Sequence, residues 1–259
     1  MAGIVEIEGV TVSYRENVAL KNISLNIDEG TFFAVIGPNG AGKTTLLTVI
    51  NGLGKILSGS VRVFGMDLLR NSSKIRREIG YVPQNSTIDP RSPISVRDVV
   101  MIGRLGKIGL FRNPSLEDNK TVDAAMDLVG IRRLQDRPIG HLSSGEQQKV
   151  AIARALAQRP KIILLDEPTS NLDPRSQREI IDLIDRIYKE VNLTVVFVTH
   201  LLSHIPESCQ EAVLMKEGKI IFFGRIEDAF QDHLLSDLYD CPVEVLGIEN
   251  LRFICKRHS

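Results

Sequence analysis

A glycine-rich segment at residues 37–44 has the composition of a phosphate-binding loop. It matches the pattern G-x-x-x-x-G-K-[ST] at every fixed position and directly follows an apolar run at residues 32–36. Glycines let backbone N–H groups curve around a phosphate, and the N-terminus of the next helix adds a positive dipole. Lys43 is expected at the β- and γ-phosphates, Thr44 at Mg²⁺ and Thr45 at the α-phosphate. The predicted nucleoside triphosphate site comprises Gly37, Pro38, Asn39, Gly40, Ala41, Gly42, Lys43, Thr44 and Thr45.

A second apolar run, at residues 162–165, ends in Asp166 and Glu167. Such a run is typical of a buried strand, in which adjacent residues point to opposite sides. The two carboxylates are therefore assigned different tasks. Asp166 is expected to hold Mg²⁺, and Glu167 to act as general base for a water that attacks the γ-phosphate.

A helix is predicted to begin at Ser143 and to run to about Gln158. Ser143 and Glu146 have the S-x-x-E spacing of a capping box, in which each side chain binds the other residue's backbone N–H. By itself, this segment indicates a well-capped helix and no particular chemistry.

The composition is that of a globular protein with balanced charge. The 259 residues include 32 Lys plus Arg and 32 Asp plus Glu, and 43% of them are hydrophobic. Such a chain can bury a core without disulfides, and its composition excludes disordered, collagen and coiled-coil classes. The balanced charge argues against nucleic-acid binding, which relies on Lys and Arg. Cys209, Cys241 and Cys255 form no CxxC pair, so we expect reduced thiols.

Neither a signal peptide nor a membrane-spanning segment is expected. The opening residues lack a basic region followed by an apolar one. No apolar run approaches the ~18 residues that span a bilayer. We therefore expect that the chain does not cross a membrane by itself.

Buried strands that alternate with helices predict an α/β fold with a mainly parallel sheet. Continuous apolar runs predict strands at residues 32–36, 162–165 and 194–199. Asp173 is a suitable N-cap for a helix from Pro174 to Glu190.

The regions on either side of this core have other patterns. Alternating residues predict half-buried antiparallel strands at residues 4–8, 11–14 and 23–27. Glu217-Gly218 predicts a hairpin turn between residues 212–215 and 219–223. Between about residues 84 and 141, only helical patterns occur, one from Ser95 and one from Glu117. This middle region is therefore predicted to be a helical insertion.

The motifs and their order resemble those of the ATP-binding cassette (ABC) ATPases over nearly the whole chain. Residues 142–146, Leu-Ser-Ser-Gly-Glu, resemble the LSGGQ signature, and residues 166–170 resemble a Walker B segment with its continuation. Residues 171–173 resemble the D-loop of the family. The resemblance implies an adenine-stacking role for Tyr14 and catalytic roles for Glu167, His200, Gln84 and Lys43. It also implies that Mg²⁺ is held by Thr44, Gln84 and Asp166.

The resemblance implies an ABC ATPase domain over residues 1–240. This domain would combine a RecA-like P-loop core, an N-terminal antiparallel β subdomain and an α-helical subdomain inserted at about residues 85–158. Residues 241–259 would form a short C-terminal tail. Strand-like patterns occur in this tail at residues 243–245 and 251–254.

In ABC proteins, the signature of one cassette completes the nucleotide site of a second. This chain has one P-loop and one signature, so the resemblance implies a two-fold symmetric homodimer that encloses two ATP molecules with Mg²⁺. Each ATP would contact, in trans, Ser143, Ser144, Gly145 and Glu146 of the other copy.

Two signature residues depart from the family pattern. Ser144 replaces a glycine, and its Cβ could crowd the nucleotide. Glu146 replaces a glutamine, and a carboxylate near phosphates costs kilocalories at short range. The capping box offers the Glu146 carboxylate another partner. We therefore expect the chain to hydrolyse ATP, at a rate that the sequence does not determine.

Two classes of ABC protein fit these motifs. Repair ATPases separate the P-loop from the signature by long coiled coils, and translation factors carry two cassettes; neither pattern fits this chain. A transporter subunit and an iron–sulfur assembly ATPase both remain. The segment at residues 93–104 resembles importers of metals and metal chelates, which favours transport. Residues 89–90, 93–96, 103–104 and 109–111 resemble the zinc and manganese branch in particular. The siderophore and cobalamin branch shares residues 99–104 and is the alternative.

The importer resemblance implies uptake of a divalent metal through separate permease subunits. The chain would lie peripherally at the cytoplasmic face of the membrane, and an extracytoplasmic solute-binding protein would take part indirectly. The loop at residues 103–111 is expected to line the groove that binds the permease. Arg104→Glu is therefore expected to uncouple transport while leaving the ATPase activity in solution intact.

Overall fold

The computed structural model describes residues 3–14, 17–84, 89, 91–109, 111–248 and 251–256. The strands are β1 (Val5–Tyr14), β2 (Asn17–Ile27), β3 (Phe32–Ile36), β4 (Ile56–Val63), β5 (Met66–Asp67), β6 (Ile79–Val82), β7 (Ile162–Asp166), β8 (Thr194–Thr199), β9 (Glu211–Lys216), β10 (Lys219–Arg225), β11 (Val243–Ile248) and β12 (Leu251–Lys256). The α-helices are α1 (Lys43–Ile50), α2 (Leu68–Arg76), α3 (Val96–Ile102), α4 (Leu105–Ile108), α5 (Leu116–Leu128), α6 (Ser144–Ala157), α7 (Pro174–Glu190), α8 (Ile226–Ala229) and α9 (Asp232–Tyr239). Three short 3₁₀ helices lie at Arg132–Leu134, Ile139–His141 and Leu202–His204.

A six-stranded sheet forms the centre of the fold, in the order β10-β9-β3-β8-β7-β6. Its strands pair in parallel except for β10, which pairs antiparallel with β9. Along β3, Phe32 and Ala34 face one hydrophobic core, and Phe33 and Val35 face the other. Because both faces are buried, the central strands are continuous apolar runs in the sequence. The three strands predicted from such runs are confirmed as β3, β7 and β8.

A second, antiparallel sheet has the order β2-β1-β4-β5 and shares a core with α1 and one face of the central sheet. The predicted strands at residues 4–8 and 11–14 are one strand, β1. Its register against β2 shifts between Ile7 and Val10, around Gly9 with φ of 59°. Strand β4 was not predicted because most of its residues are solvent-exposed, which removes the alternating pattern.

Helices α3 to α5 occupy the predicted middle region, and the helix predicted to begin at Ser143 follows as α6. Ser95 caps α3, and a capping box of Ser115 and Asp118 begins α5, close to the predicted starts. The helix α3 ends against α6 at Gly103. A Cβ on Gly103 would lie 2.0 Å from the carbonyl oxygen of Arg154, so only glycine allows this approach.

The expectation that Arg104 is a surface docking residue is wrong. Arg104 is only 7% exposed, and its guanidinium donates to Asp118 Oδ1 from Nε at 2.9 Å and from Nη2 at 2.8 Å. Its Nη1 also donates to the carbonyl oxygen of Ala157 at 3.1 Å. Arg104 therefore joins α5 to the end of α6.

The last third of the chain completes the sheet and adds a small C-terminal unit made of α9, β11 and β12. Helix α7 begins at Pro174 after the Asp173 cap, and β9 and β10 form the predicted hairpin. The strand-like patterns in the tail are confirmed as a two-stranded antiparallel sheet, β11 with β12. Within the described residues, no helix has both the length and the apolar character needed to cross a membrane.

Candidate functional site

The glycine-rich loop lies between the end of β3 and the start of α1. Gly42 occupies the N-cap position with φ of 98°, a backbone conformation that favours glycine. A Cβ on Gly42 would also lie 2.7 Å from the carbonyl oxygen of Ala19 in β2. The first backbone N–H groups of α1 have no acceptors within the helix, so this end of α1 can bind an anion.

Lys43 is buried, with 5% of its side chain exposed. Its Nζ donates to the carbonyl oxygens of Gly37 at 2.8 Å and Pro38 at 3.0 Å, and lies 3.3 Å from Glu167 Oε1. A buried ammonium needs such partners, because removing it from water is costly. These partners thus hold the Lys43 ammonium in position at the phosphate-binding loop.

Asp166, at the end of β7, lies next to two hydroxyl groups. Thr44 Oγ1 donates to Asp166 Oδ1 at 3.2 Å, and the Tyr81 hydroxyl donates to Oδ2 at 3.4 Å. Burial raises the pKa of Asp166, and burial beside this carboxylate raises the pKa of Tyr81 to about 12. The hydroxyl and carboxylate oxygens of Thr44 and Asp166 are ligands of the kind that Mg²⁺ prefers.

Glu167 lies just beyond β7 and gathers three side chains around its carboxylate. Its backbone has φ of 45°, and its N–H donates to the carbonyl oxygen of Val198 in β8 at 3.1 Å. Gln84 Nε2 donates to Oε2 at 2.9 Å, and His200 Nδ1 lies 3.0 Å from the same oxygen. Together with Lys43, three functional side chains from separate elements therefore meet at one carboxylate.

The signature residues form a separate group at the start of α6. The predicted capping box is present: Glu146 Oε2 accepts from the Ser143 N–H at 3.0 Å and from its hydroxyl at 3.1 Å. A Cβ on Gly145 would lie 2.8 Å from Ser176 Oγ, at the start of α7. Among the described hydrogen bonds, none joins residues 143–146 to the P-loop cluster. Ser144 lies in the first turn of α6, beside this cap.

Tyr14 ends β1 and is 49% exposed, at the tip of the β1–β2 hairpin. The same hairpin approaches the P-loop through Ala19, next to Gly42. An exposed aromatic ring here can stack on a base.

Sequence reasoning did not identify Tyr81 or His204. Tyr81 is in β6, beside β7, so the parallel pairing brings its hydroxyl to Asp166. His204 Nδ1 lies 2.8 Å from Thr169 Oγ1, and burial followed by the charge of His200 lowers the pKa of His204. The available signal was position: both residues lie near the carboxyl ends of parallel strands, where sites form in such sheets.

A buried strand, a P-loop, a helix and an acid at the end of a nearby parallel strand define a P-loop nucleoside triphosphatase. Comparison with known proteins gives the family within this class. The ABC transporter family matches residues 20–170, and the chain belongs to this family. It is an ATP-binding cassette that hydrolyses ATP.

Two curated relatives align over most of their length. The manganese transport system ATP-binding protein MntB of Bacillus subtilis is 39% identical over 235 residues, covering 91% of this chain and 92% of that protein. The zinc transport system ATP-binding protein TroB of Treponema pallidum is 37% identical, covering 91% of this chain and 86% of that protein.

Solved structures agree with the fold. A metal-chelate type ABC transporter in an inward-facing conformation aligns with a TM-score of 0.84 at 28% identity, covering 100% of this chain and 98% of that chain. A dimeric ATP-binding cassette in a post-hydrolysis state, bound to ADP and phosphate, aligns with a TM-score of 0.73 at 32% identity, covering 86% and 98%.

Proposed function

We propose that this chain is the ATP-hydrolysing subunit of an importer for a divalent metal ion, of the manganese or zinc type. The observation that carries the ATPase part is the cluster in which Lys43, Gln84 and His200 surround the Glu167 carboxylate. The transport part rests on the relatives and on a groove in the helical region.

Each residue of the cluster has a task in the proposed reaction. Lys43 binds the β- and γ-phosphates of ATP, and the N–H groups of the loop hold the phosphate oxygens. Glu167 accepts a proton from the water that attacks the γ-phosphate. His200 and Gln84 reach the same carboxylate from β8 and β6, so they can orient this water and the γ-phosphate.

The residues present fit Mg²⁺ as a cofactor. Thr44 Oγ1 and Asp166 Oδ1 lie 3.2 Å apart, and Gln84, which is bonded to the adjacent Glu167, carries an amide oxygen as a further ligand. When bound there, Mg²⁺ neutralises charge on the phosphates. Tyr81 supports this arrangement by binding the second oxygen of Asp166.

The functional assembly is proposed to be a homodimer. Residues 143–146 contain the cap of α6, Gly145 lies against Ser176 of α7, and no described hydrogen bond joins these residues to the P-loop cluster of the same chain. In a two-fold dimer they can contact ATP held by the other copy, as a closed symmetric assembly requires. The dimeric post-hydrolysis cassette among the structural neighbours supports this arrangement.

A groove of about 610 Å³ lies between α2 and the α3–α4 region. Its walls include three exposed apolar side chains, Ile102, Leu105 and Phe111. They also include Arg77 and Arg112, and the described lining residues contain no carboxylate. We propose that a cytoplasmic helix of the permease, with apolar and acidic side chains, docks here. In this proposal the chain lies at the cytoplasmic face of the membrane, and a solute-binding protein acts on the other side.

Metal uptake in a deletion strain tests the proposal. The strain would be complemented with the wild-type chain, with Lys43→Ala, or with the exposed-site control Lys55→Ala. We expect wild type and Lys55→Ala to restore uptake of manganese or zinc, and Lys43→Ala to fail. Restoration of only a chelated metal would move the substrate to the chelate class. Unchanged uptake of every metal and chelate in the deletion strain would contradict metal import while leaving ATP hydrolysis standing.

A further inference from the structure

The segment after β8 carries His200 and is bonded to two other parts of the chain. The hydroxyl of Tyr239, the last residue of α9, donates to the carbonyl oxygen of His200 at 3.1 Å. Four residues later, His204 bonds to Thr169, two positions beyond Glu167. The first of these bonds connects the C-terminal unit to the residue that contacts the Glu167 carboxylate.

Helix α9 is firmly attached to the central sheet. Leu235 and Leu238 are fully buried in the larger core, and Lys216 at the end of β9 forms an ion pair of 2.6 Å with Asp240, just after the helix. A side chain at the end of this helix therefore has a fixed position relative to β8 and β9.

The C-terminal hairpin is bonded to the same helix. The Val243 N–H donates to Ser236 Oγ at 3.0 Å, and the Val245 N–H donates to Asp232 Oδ1 at 3.0 Å. Strand β12 also contacts the 3₁₀ turn at Leu202–His204. Helix α9 thus contacts His200 through Tyr239, and the hairpin contacts the turn that follows it.

The Tyr239 phenol is suited to a permanent hydrogen bond. Burial raises its pKa to about 12, so the hydroxyl stays protonated and remains a donor throughout the neutral range. Its acceptor is a backbone carbonyl, so the bond restrains the main chain of His200 and leaves the imidazole free to bond elsewhere. The imidazole Nδ1 is 3.0 Å from Glu167 Oε2.

We infer that Tyr239 is a positioning residue for ATP hydrolysis: by holding the His200 backbone, it places the imidazole at Glu167 and at the γ-phosphate. The inference rests on the proposed role of His200. It extends the functional machinery to the C-terminal unit.

Tyr239→Phe tests this inference, because phenylalanine keeps the ring and removes only the donor. Tyr188→Phe is a matched control: the Tyr188 hydroxyl donates to the carbonyl oxygen of Gly30 at 2.7 Å, away from the cluster. In the full-length chain, we expect Tyr239→Phe to lower kcat for ATP about 3- to 10-fold with KM within about twofold, because a lost hydrogen bond costs roughly 1 kcal/mol. Tyr188→Phe should leave kcat unchanged. Equal losses of kcat in the two variants would contradict the inference.

A double-mutant cycle separates positioning from general destabilisation. If Tyr239 acts through His200, Tyr239→Phe should have little further effect on kcat in a His200→Ala background. If the two substitutions instead lower kcat by independent factors that multiply in the double variant, the inference is wrong. Normal turnover by His200→Ala alone would instead refute the proposed role of His200. Reduced turnover by His200→Ala with normal turnover by Tyr239→Phe would refute only the inference about Tyr239.

Discussion

At the scale of single residues, we expect a substitution of Glu167 to reduce ATP turnover without abolishing ATP binding. Glu167→Gln keeps the size of the side chain and one acceptor oxygen, but it replaces the other oxygen with an NH2 donor and removes the base. We expect ATP binding to persist and turnover to fall by about 10²–10⁴-fold, the usual contribution of a general base. Calorimetry and phosphate release measure the two quantities. A dimer with trapped ATP should also accumulate in size-exclusion chromatography with ATP and Mg²⁺, and a persistently monomeric variant would argue against this role.

The Glu146 carboxylate is bonded into the cap of α6. Glutamate in place of the family's glutamine should therefore affect the ATPase rate less than its charge suggests. Both of its bonds, to the N–H and the hydroxyl of Ser143, use an oxygen that glutamine also has. We expect Glu146→Gln to leave the ATPase rate within about twofold of wild type. Steady-state phosphate release is the measurement. A clear rise in rate would indicate that the carboxylate faces phosphates in the dimer.

At the scale of elements, Arg104 and Asp118 connect α5 to the end of α6. We expect Arg104→Ala to lower the free energy of unfolding by about 3–5 kcal/mol, because it leaves a buried carboxylate without its cation. Arg159→Ala is the matched control: Arg159 forms an exposed pair with Glu117, next to Asp118, and should lose no more than about 1 kcal/mol. Urea unfolding compares them. Equal losses of unfolding free energy in the two variants would show that burial of the Arg104–Asp118 pair does not add to its contribution to stability.

The same pair gives a pH dependence of stability. Bonds from the Ser115 hydroxyl and N–H, and then from Arg104, lower the pKa of Asp118 to about 2 from its usual 3.8. Because the folded-state pKa is the lower one, the stabilisation is present above about pH 4 and is lost as the pH falls towards 2. We expect Asp118→Asn to flatten this acid limb in urea unfolding measured across pH. If Asp118→Asn leaves the acid limb unchanged, other carboxylates cause the loss of stability at low pH.

Local patterns in the sequence are sufficient for the strands and helices that carry the motifs. The runs that form β3, β7 and β8 are apolar because both faces of the sheet are covered, and Asp173, Ser95 and Ser143 mark helix starts through their own side chains. The same locality makes Lys43, Asp166 and Glu167 predictable, because the neighbours of each residue along the chain specify its strand end or loop.

Features that depend on distant pairing were not predictable in this way. Arginine is usually exposed, which favours a surface position for Arg104; its burial depends on Asp118, 14 residues away. Tyr239 meets His200 across 39 residues, and Tyr81 meets Asp166 across 85. No periodicity encodes such contacts, since they arise from how the elements pack.

At the scale of the whole molecule, the groove predicts a partner with acidic side chains. The double variant Arg77→Glu, Arg112→Glu should lose co-purification with the permease and lower metal uptake at least about tenfold, because like charges across an interface cost several kcal/mol. ATPase activity in solution should stay within about twofold, since both arginines lie outside the Glu167 cluster. Arg77→Lys with Arg112→Lys keeps the charges and should retain docking, and Arg133→Glu controls for a charge reversal elsewhere on the exposed surface. Normal co-purification of the double reversal would show that charge in this groove does not select the permease. Loss in the Arg133→Glu control as well would point to net charge instead.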